Sequence, residues 1–248
     1  SLQMQSLALF ALGLTAVYAA DINIYNNCPF AIWPGIQGNP LPEGGGFSLG
    51  AYTARQFSVQ DGWTAGRIWA RTGCDGNMNC DTGFCGNNVA CGGNGGQPPV
   101  SLAEFTLSGA GNQDYYDVSL VDGYNLPVLI DVVQGTYTTN GGAYDCKRAG
   151  GCNKDVNAEC PSQLAVVKHG QTVACMSSCM AFNTDQYCCR GAYGTPQTCN
   201  TNDWPVNSAK LFKDACPNAY SYAYDDGTST YTCRGNGWPS PTYQVQFC

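Results

Sequence analysis

The chain has 248 residues, 18 acidic and 11 basic, giving a net charge of −7, and charged side chains make up only 12% of it. A surface of that sign attracts neither nucleic acid phosphates nor an anionic membrane, which leaves neutral polymers or cationic surfaces as partners. Sixteen cysteines against a single histidine mark an exported, disulfide-bonded chain rather than a zinc protein, because thiolate zinc sites come as paired short spacings and no C-x2-C pair repeats here.

In chain order, residues 1–20 read as a secretory leader. The run from Ser6 to Leu14 is apolar but too short to span a bilayer, and Val17-Tyr18-Ala19-Ala20 supplies the small residues a signal peptidase accepts; Ser1 to Gln3, ahead of a candidate initiator Met4, are extraneous to it. No later stretch reaches the length of a membrane helix. Strand signals follow, as polar and apolar residues alternate over Asp21–Asn26, Arg55–Val59 and Ala103–Leu107 with Gly, Pro and Asn clusters between them, a sandwich or barrel pattern. Between Cys74 and Pro99 the alternation gives way to Gly and Asn punctuated by four cysteines, a small stapled excursion from the sheet. From Cys146 to Cys216 cysteines accumulate beside weak helical signals. The best of these is Asn207 or Ser208 capping Ala209 to Ala215, with Leu211, Phe212 and Ala215 on one side. The tail from Tyr220 to Phe247 returns to alternation around Asp226-Gly227, a hairpin signal.

An even cysteine count in an exported chain implies eight bridges. Cys188 and Cys189 are neighbours, and a bond between them is strained, so each pairs elsewhere. Cys28 and Cys248 can join the two ends of the mature chain.

Several stretches carry a resemblance. Gly66-Arg67-Ile68-Trp69-Ala70-Arg71-Thr72-Gly73-Cys74, Cys80-Asp81-Thr82-Gly83-Phe84-Cys85-Gly86, Leu102-Ala103-Glu104-Phe105-Thr106-Leu107, the run from Gln113 to Asn125, and Cys216-Pro217-Asn218-Ala219-Tyr220-Ser221-Tyr222-Ala223-Tyr224-Asp225 resemble thaumatin-like proteins over essentially the whole mature chain. The resemblance implies a mainly β fold. Its core is an antiparallel β-sandwich (21–73, 100–150 and 217–248), joined by a small disulfide loop domain (74–99) and a disulfide-rich lobe of short helices (151–216), with a cleft between sandwich and lobe. It further implies the pairs Cys28–Cys248, Cys74–Cys80, Cys85–Cys91, Cys146–Cys233, Cys152–Cys216, Cys160–Cys175, Cys179–Cys188 and Cys189–Cys199.

Many such proteins carry an acidic cleft of one arginine, one glutamate and three aspartates, linked to antifungal action and to binding or weak hydrolysis of β-1,3-glucan. Matched motif by motif, Glu104, Asp117, Asp122 and Asp225 fill the acidic positions. Phe47 stands where the arginine belongs, after Gly44-Gly45-Gly46, and Phe84 stands where an aspartate is common; the first departure hints at a non-plant member.

The residues also admit plainer readings. Glu104 fits a solvated position on the outer face of a strand. Asp117 and Asp122 are five apart, which in an ideal strand sends them to opposite faces, so a bulge or the Asp122-Gly123 turn must intervene if they converge. Asp122 and Asp225 each also fit as turn residues. Asp75, Asn77, Asn79 and Asp81 alternate like a calcium loop, but Cys80 and Gly86 occupy its required glycine and glutamate positions. His169 reads as a surface residue, and a serine nucleophile lacks its G-x-S-x-G elbow. No metal or cofactor is called for.

The leading expectation is a secreted, monomeric defence protein that grips fungal β-1,3-glucan or a related wall polysaccharide through Glu104, Asp117, Asp122 and Asp225, with rim aromatics stacking on sugar faces. The alternative is a weak endo-β-1,3-glucanase in which Glu104 donates the proton and Asp117 or Asp122 is base or nucleophile. A third is an inhibitor of microbial enzymes.

Overall fold

A computed structural model describes residues 18–237 and 240–248. The proposed leader lies largely outside the described residues; Tyr18 to Ala20 open the first strand, where Ala20 is buried opposite Val59. The strands are β1 (Tyr18–Asn26), β2 (Trp33–Asn39), β3 (Ala54–Gln60), β4 (Thr64–Arg71), β5 (Leu102–Thr106), β6 (Asp114–Ser119), β7 (Val128–Val132), β8 (Tyr137–Thr138), β9 (Ala149–Gly150), β10 (Ala165–Lys168), β11 (Gln171–Cys175), β12 (Tyr231–Gly235) and β13 (Tyr243–Phe247). The helices are short: α1 (Val156–Glu159), α2 (Ser178–Phe182), α3 (Asp185–Cys188), α4 (Ser208–Ala215) and α5 (Asp226–Ser229).

Two sheets carry the fold, one in the order β3-β1-β13-β7-β9 and one in the order β2-β4-β5-β6-β12-β8. Pairing is antiparallel throughout them except at the centre of the first, where β1 lies parallel to β13 with Ile22 opposite Tyr243 and Asn26 opposite Phe247. Alternation does the sorting. Ile22, Ile24, Ile130, Val245 and Phe247 from one sheet meet Ile36, Ile68, Ala103, Phe105, Tyr116 and Val118 from the other in one buried cluster, while the residues between them turn outward. Trp63 is fully buried against Phe105, its indole lying where side chains on Gly38 and Gly66 would collide with it.

Part of the outer face of the second sheet is covered by the 74–99 excursion. Trp69 and Leu102 form a separate apolar cluster with Cys85, Cys91 and Val100 beneath the 74–99 excursion. Arg71, fully buried, donates to the carbonyl oxygens of Trp33, Asn88 and Val89 and so ties that excursion to the sheet; burial pushes its pKa down to about 10. The helical region, which holds α1 to α4 and the β10–β11 hairpin, packs Val156, Leu164, Phe212 and Ala215 into the main core cluster.

All eight bridges form in the pairing implied by the resemblance, and Cys188 and Cys189 bond away from each other. Asn207 caps α4, accepting from the Lys210 amide. The Asp226-Gly227 hairpin does not form: these residues open α5, and strand structure resumes only at Tyr231. The cause lies in Asp225, whose carboxylate accepts from the Ser221 amide and hydroxyl and from Thr228 Oγ1, folding the segment back on itself where a two-residue turn would have left it extended.

Candidate functional site

The pleat of the second sheet places Arg67 of β4, Glu104 of β5 and Asp117 of β6 in one row, since Arg67 pairs with Glu104 and Glu104 with Asp117. Their neighbours Ile68, Ala103, Tyr116 and Val118 fill the core, so the row faces outward. Arg67 Nε donates to Glu104 Oε1 at 2.9 Å. Directly opposed residues hold their Cβ atoms about 4.5–5.5 Å apart, so Glu104 and Asp117 are immediate neighbours.

Asp122 joins them by the expected turn. After β6 the chain reverses through Gly123, whose amide donates to the Leu120 carbonyl and whose φ of +89° suits glycine. A side chain there would also strike Pro99 and the Cys175 carbonyl. The turn returns Asp122 to the same side as Asp117, and the two line a cleft of about 400 Å³ with Arg67, Glu104, Ser119, Val121, Tyr220 and Ala223. A larger hollow of about 580 Å³ near Tyr124 and Pro127 carries one lysine and one aspartate side chain and no such row.

The carboxyls perturb one another. Burial raises the Glu104 pKa and the Asp122 charge raises it further, against the pull of Arg67. Asp117 is pushed well above the usual carboxylate range, first by burial and then by the Glu104 charge. Its Oδ1 is buried with no hydrogen-bond partner. Paired acids held in this way are a common source of functional proton affinity.

Three of the four acids named from sequence converge, and Asp225 does not. Its side chain is only 10% exposed, bound by Lys213 Nζ at 2.8 Å as well as by Ser221 and Thr228, and it is absent from the cleft lining. Phe47 is a core residue set edge-on to Phe57, with Arg55 over its ring. The cation in the cleft lining is Arg67, one strand from Glu104. Sequence reasoning passed over it, though the alternation of Arg67 with buried Ile68 was a usable signal. Asp226 was also missed; it accepts from the Tyr220 hydroxyl at 2.8 Å and its charge acts on Asp117.

The remaining candidates sit elsewhere. Asp75 spends its carboxylate on the Asn77 and Asn79 amides and the Asn79 side chain, which lowers its pKa. His169 is exposed, with Nε2 3.4 Å from Asp81 Oδ1. Phe84 lies outside the cleft lining. Of the aromatics, Tyr220 lines the cleft, and Tyr187, Trp204 and Tyr222 surround a recess of about 50 Å³ that shares Val121 and Ala223 with it. Among the described residues no helix is long and apolar enough to cross a membrane.

Comparison with known proteins follows the same lines. A family model described as the Thaumatin family matches residues 26–248. "Pathogenesis-related protein 5" of Arabidopsis thaliana is 50% identical over 240 residues, covering 94% of this chain and 92% of that protein. "Glucan endo-1,3-beta-glucosidase" of Prunus avium is 44% identical over 252 residues, covering 98% and 96%. Both relatives are plant proteins, so the hint of a non-plant member drawn from Phe47 is not borne out; the core position of Phe47 carries no such information. A family 64 laminaripentaose-producing β-1,3-glucanase from Paenibacillus barengoltzii superposes with a TM-score of 0.57 at 14% identity over 92% of this chain and 74% of that one, a likeness of fold alone.

Proposed function

The chain belongs to the thaumatin family, and on that premise we propose that it is an extracellular, monomeric, antifungal defence protein that binds β-1,3-glucan of fungal walls in the cleft over β4, β5 and β6. The observation that carries this reading is the single row Arg67-Glu104-Asp117, with Asp122 brought beside it by the Gly123 turn. Such a groove offers several acceptors and one guanidinium donor to the hydroxyls of a polyhydroxyl chain. The eight bridges suit an oxidising compartment outside the cell.

Retention on insoluble β-1,3-glucan but not on cellulose or chitin is the expected result of a co-sedimentation assay. Asp122→Asn and Arg67→Gln, which alter the groove and not the core, should weaken it. Equal recovery on all three polymers would defeat the reading.

A second reading, weak glucan hydrolysis, draws on the closeness of Glu104 and Asp117. Adjacent carboxyls about 5–5.5 Å apart suit a retaining cleavage, whereas inversion needs 6.5–9.5 Å to admit water. Release of reducing ends from soluble β-1,3-glucan, compared between the native chain and Glu104→Gln, decides between binding and turnover.

A further inference from the structure

Two carboxyls held side by side under partial burial cannot both carry charge without compensation. The described cleft contains one cation, Arg67, and it is not shared equally. Its guanidinium bonds Glu104 directly at 2.9 Å from the adjacent strand, whereas Asp117 stands a further strand away and feels Arg67 only through its charge. Ser119 also favours the charged form of Glu104.

Nothing equivalent serves Asp117. Glu104 faces it from β5, and the Asp226 charge reaches it from α5. Tyr220 is committed to Asp226 and Thr230, and Lys213 is committed to Asp225. Asp122, from the turn after β6, acts on Glu104 and adds negative charge to the same groove. Asp117 Oδ1 is sealed from solvent without a donor, the worst setting for an anionic oxygen.

We propose that Asp117, and not Glu104, holds the proton of this carboxyl pair, so that the cleft meets a sugar chain with one neutral carboxyl that donates and one carboxylate that accepts. The strong upward shift of Asp117 agrees with this assignment. It reverses the donor role given to Glu104 from sequence. The consequence for recognition rests on the glucan reading, whereas the proton assignment does not. A glycosidic or ring ether oxygen only accepts, so a groove of carboxylates repels it; a protonated Asp117 binds it while Glu104 takes a neighbouring hydroxyl. The ligand is then an uncharged polysaccharide held more tightly at acid pH.

Infrared spectroscopy of the free protein, titrated from acid to neutral pH, tests the assignment through the C=O stretch of protonated carboxylic acids. Asp114 also has a raised pKa, through burial, and contributes a band that neither cleft substitution removes. Glu104, also raised by burial but less than Asp117, should lose its proton at lower pH, so a second band should persist well above the ordinary carboxylate range in the native chain and be missing in Asp117→Asn. In Glu104→Gln it should remain but titrate at lower pH, since the neighbouring charge is gone. A band that vanishes in Glu104→Gln and survives in Asp117→Asn, or no second band at all, overturns the proposal. Glucan retention should fall as pH climbs through the same midpoint, and this pH dependence should disappear in Asp117→Asn, whose amide still donates. Retention that ignores pH in the native chain also overturns the proposal while leaving the glucan reading intact. Should glucan never be retained at any pH while the infrared result holds, the binding reading fails and the proton assignment stands.

Discussion

Asp225 separates a family pattern from the chemistry of this particular fold, and Asp225→Ala tests the distinction. The substitution removes the acceptor for the Ser221 amide and hydroxyl, for Thr228 Oγ1 and for Lys213 Nζ. Lys213 is not stranded, because it also donates to the Ala219 carbonyl and to Ser229 Oγ. Breaking one side of a buried ion pair costs about 3–5 kcal/mol when the other charge is left unpaired, and hydrogen bonds to charged groups contribute about 1.5–3 kcal/mol each. With the lysine kept partnered and Thr228 exposed enough to find water, the low end applies, about 3 kcal/mol. In a chain of this size each kcal/mol moves the midpoint by about 2–4 °C, so thermal unfolding with the bridges intact should come about 6–12 °C earlier. Co-sedimentation with glucan well below that temperature should be unchanged. An unaltered melting point together with lost retention would mean that Asp225 serves the ligand and not the fold.

Three further outcomes are expected. Gly66→Ala would place a Cβ 2.5 Å from the Trp63 ring, which is buried and hemmed in by Gly38 on its other side, so unfolding in denaturant should show a loss of about 3 kcal/mol, relieved in part by adding Trp63→Phe. Stability should decline as pH rises above the ordinary carboxylate values of 3.8 and 4.5, because Asp117, Asp114 and Glu104 all have raised pKa values, and the native chain therefore binds more protons than the unfolded one; Asp117→Asn should flatten that slope, and an unchanged slope would count against its burial. Replacing the Cys28–Cys248 pair by serine should cost about 5 kcal/mol in chain entropy, against about 2 for Cys74–Cys80, because the loops span 220 and 6 residues; calorimetry of the two double variants gives the comparison.

What the sequence revealed and what it hid divide along physical lines. Local rules worked where the deciding contacts are local: Ile22 and Ile24 alternate into the core, Asn207 caps its helix, and the Gly123 turn brings Asp122 round to Asp117. The grouping of Glu104, Asp117 and Asp122 came from resemblance rather than spacing, since strand register is fixed by partners distant in the chain. Arg67 was overlooked for the same reason, as its value depends on lying across from Glu104. Asp226-Gly227 misled because a hairpin turn needs its own backbone geometry, and the Asp225 side chain imposed another. The parallel contact of β1 with β13 has no sequence mark, for alternation says which face a residue takes and not which neighbour a strand finds.

That parallel contact governs the order in which the molecule can be completed. During synthesis β1 emerges long before β13, and until β13 follows it only β3 can pair with β1 in that sheet. Cys248 sits directly after β13 and bonds Cys28, so this one bridge fastens the late strand to the segment that follows β1. A chain lacking β13 and Cys248 would lose the middle strand of a sheet and leave Cys28 an unpaired thiol, a combination that quality-control machinery can recognise.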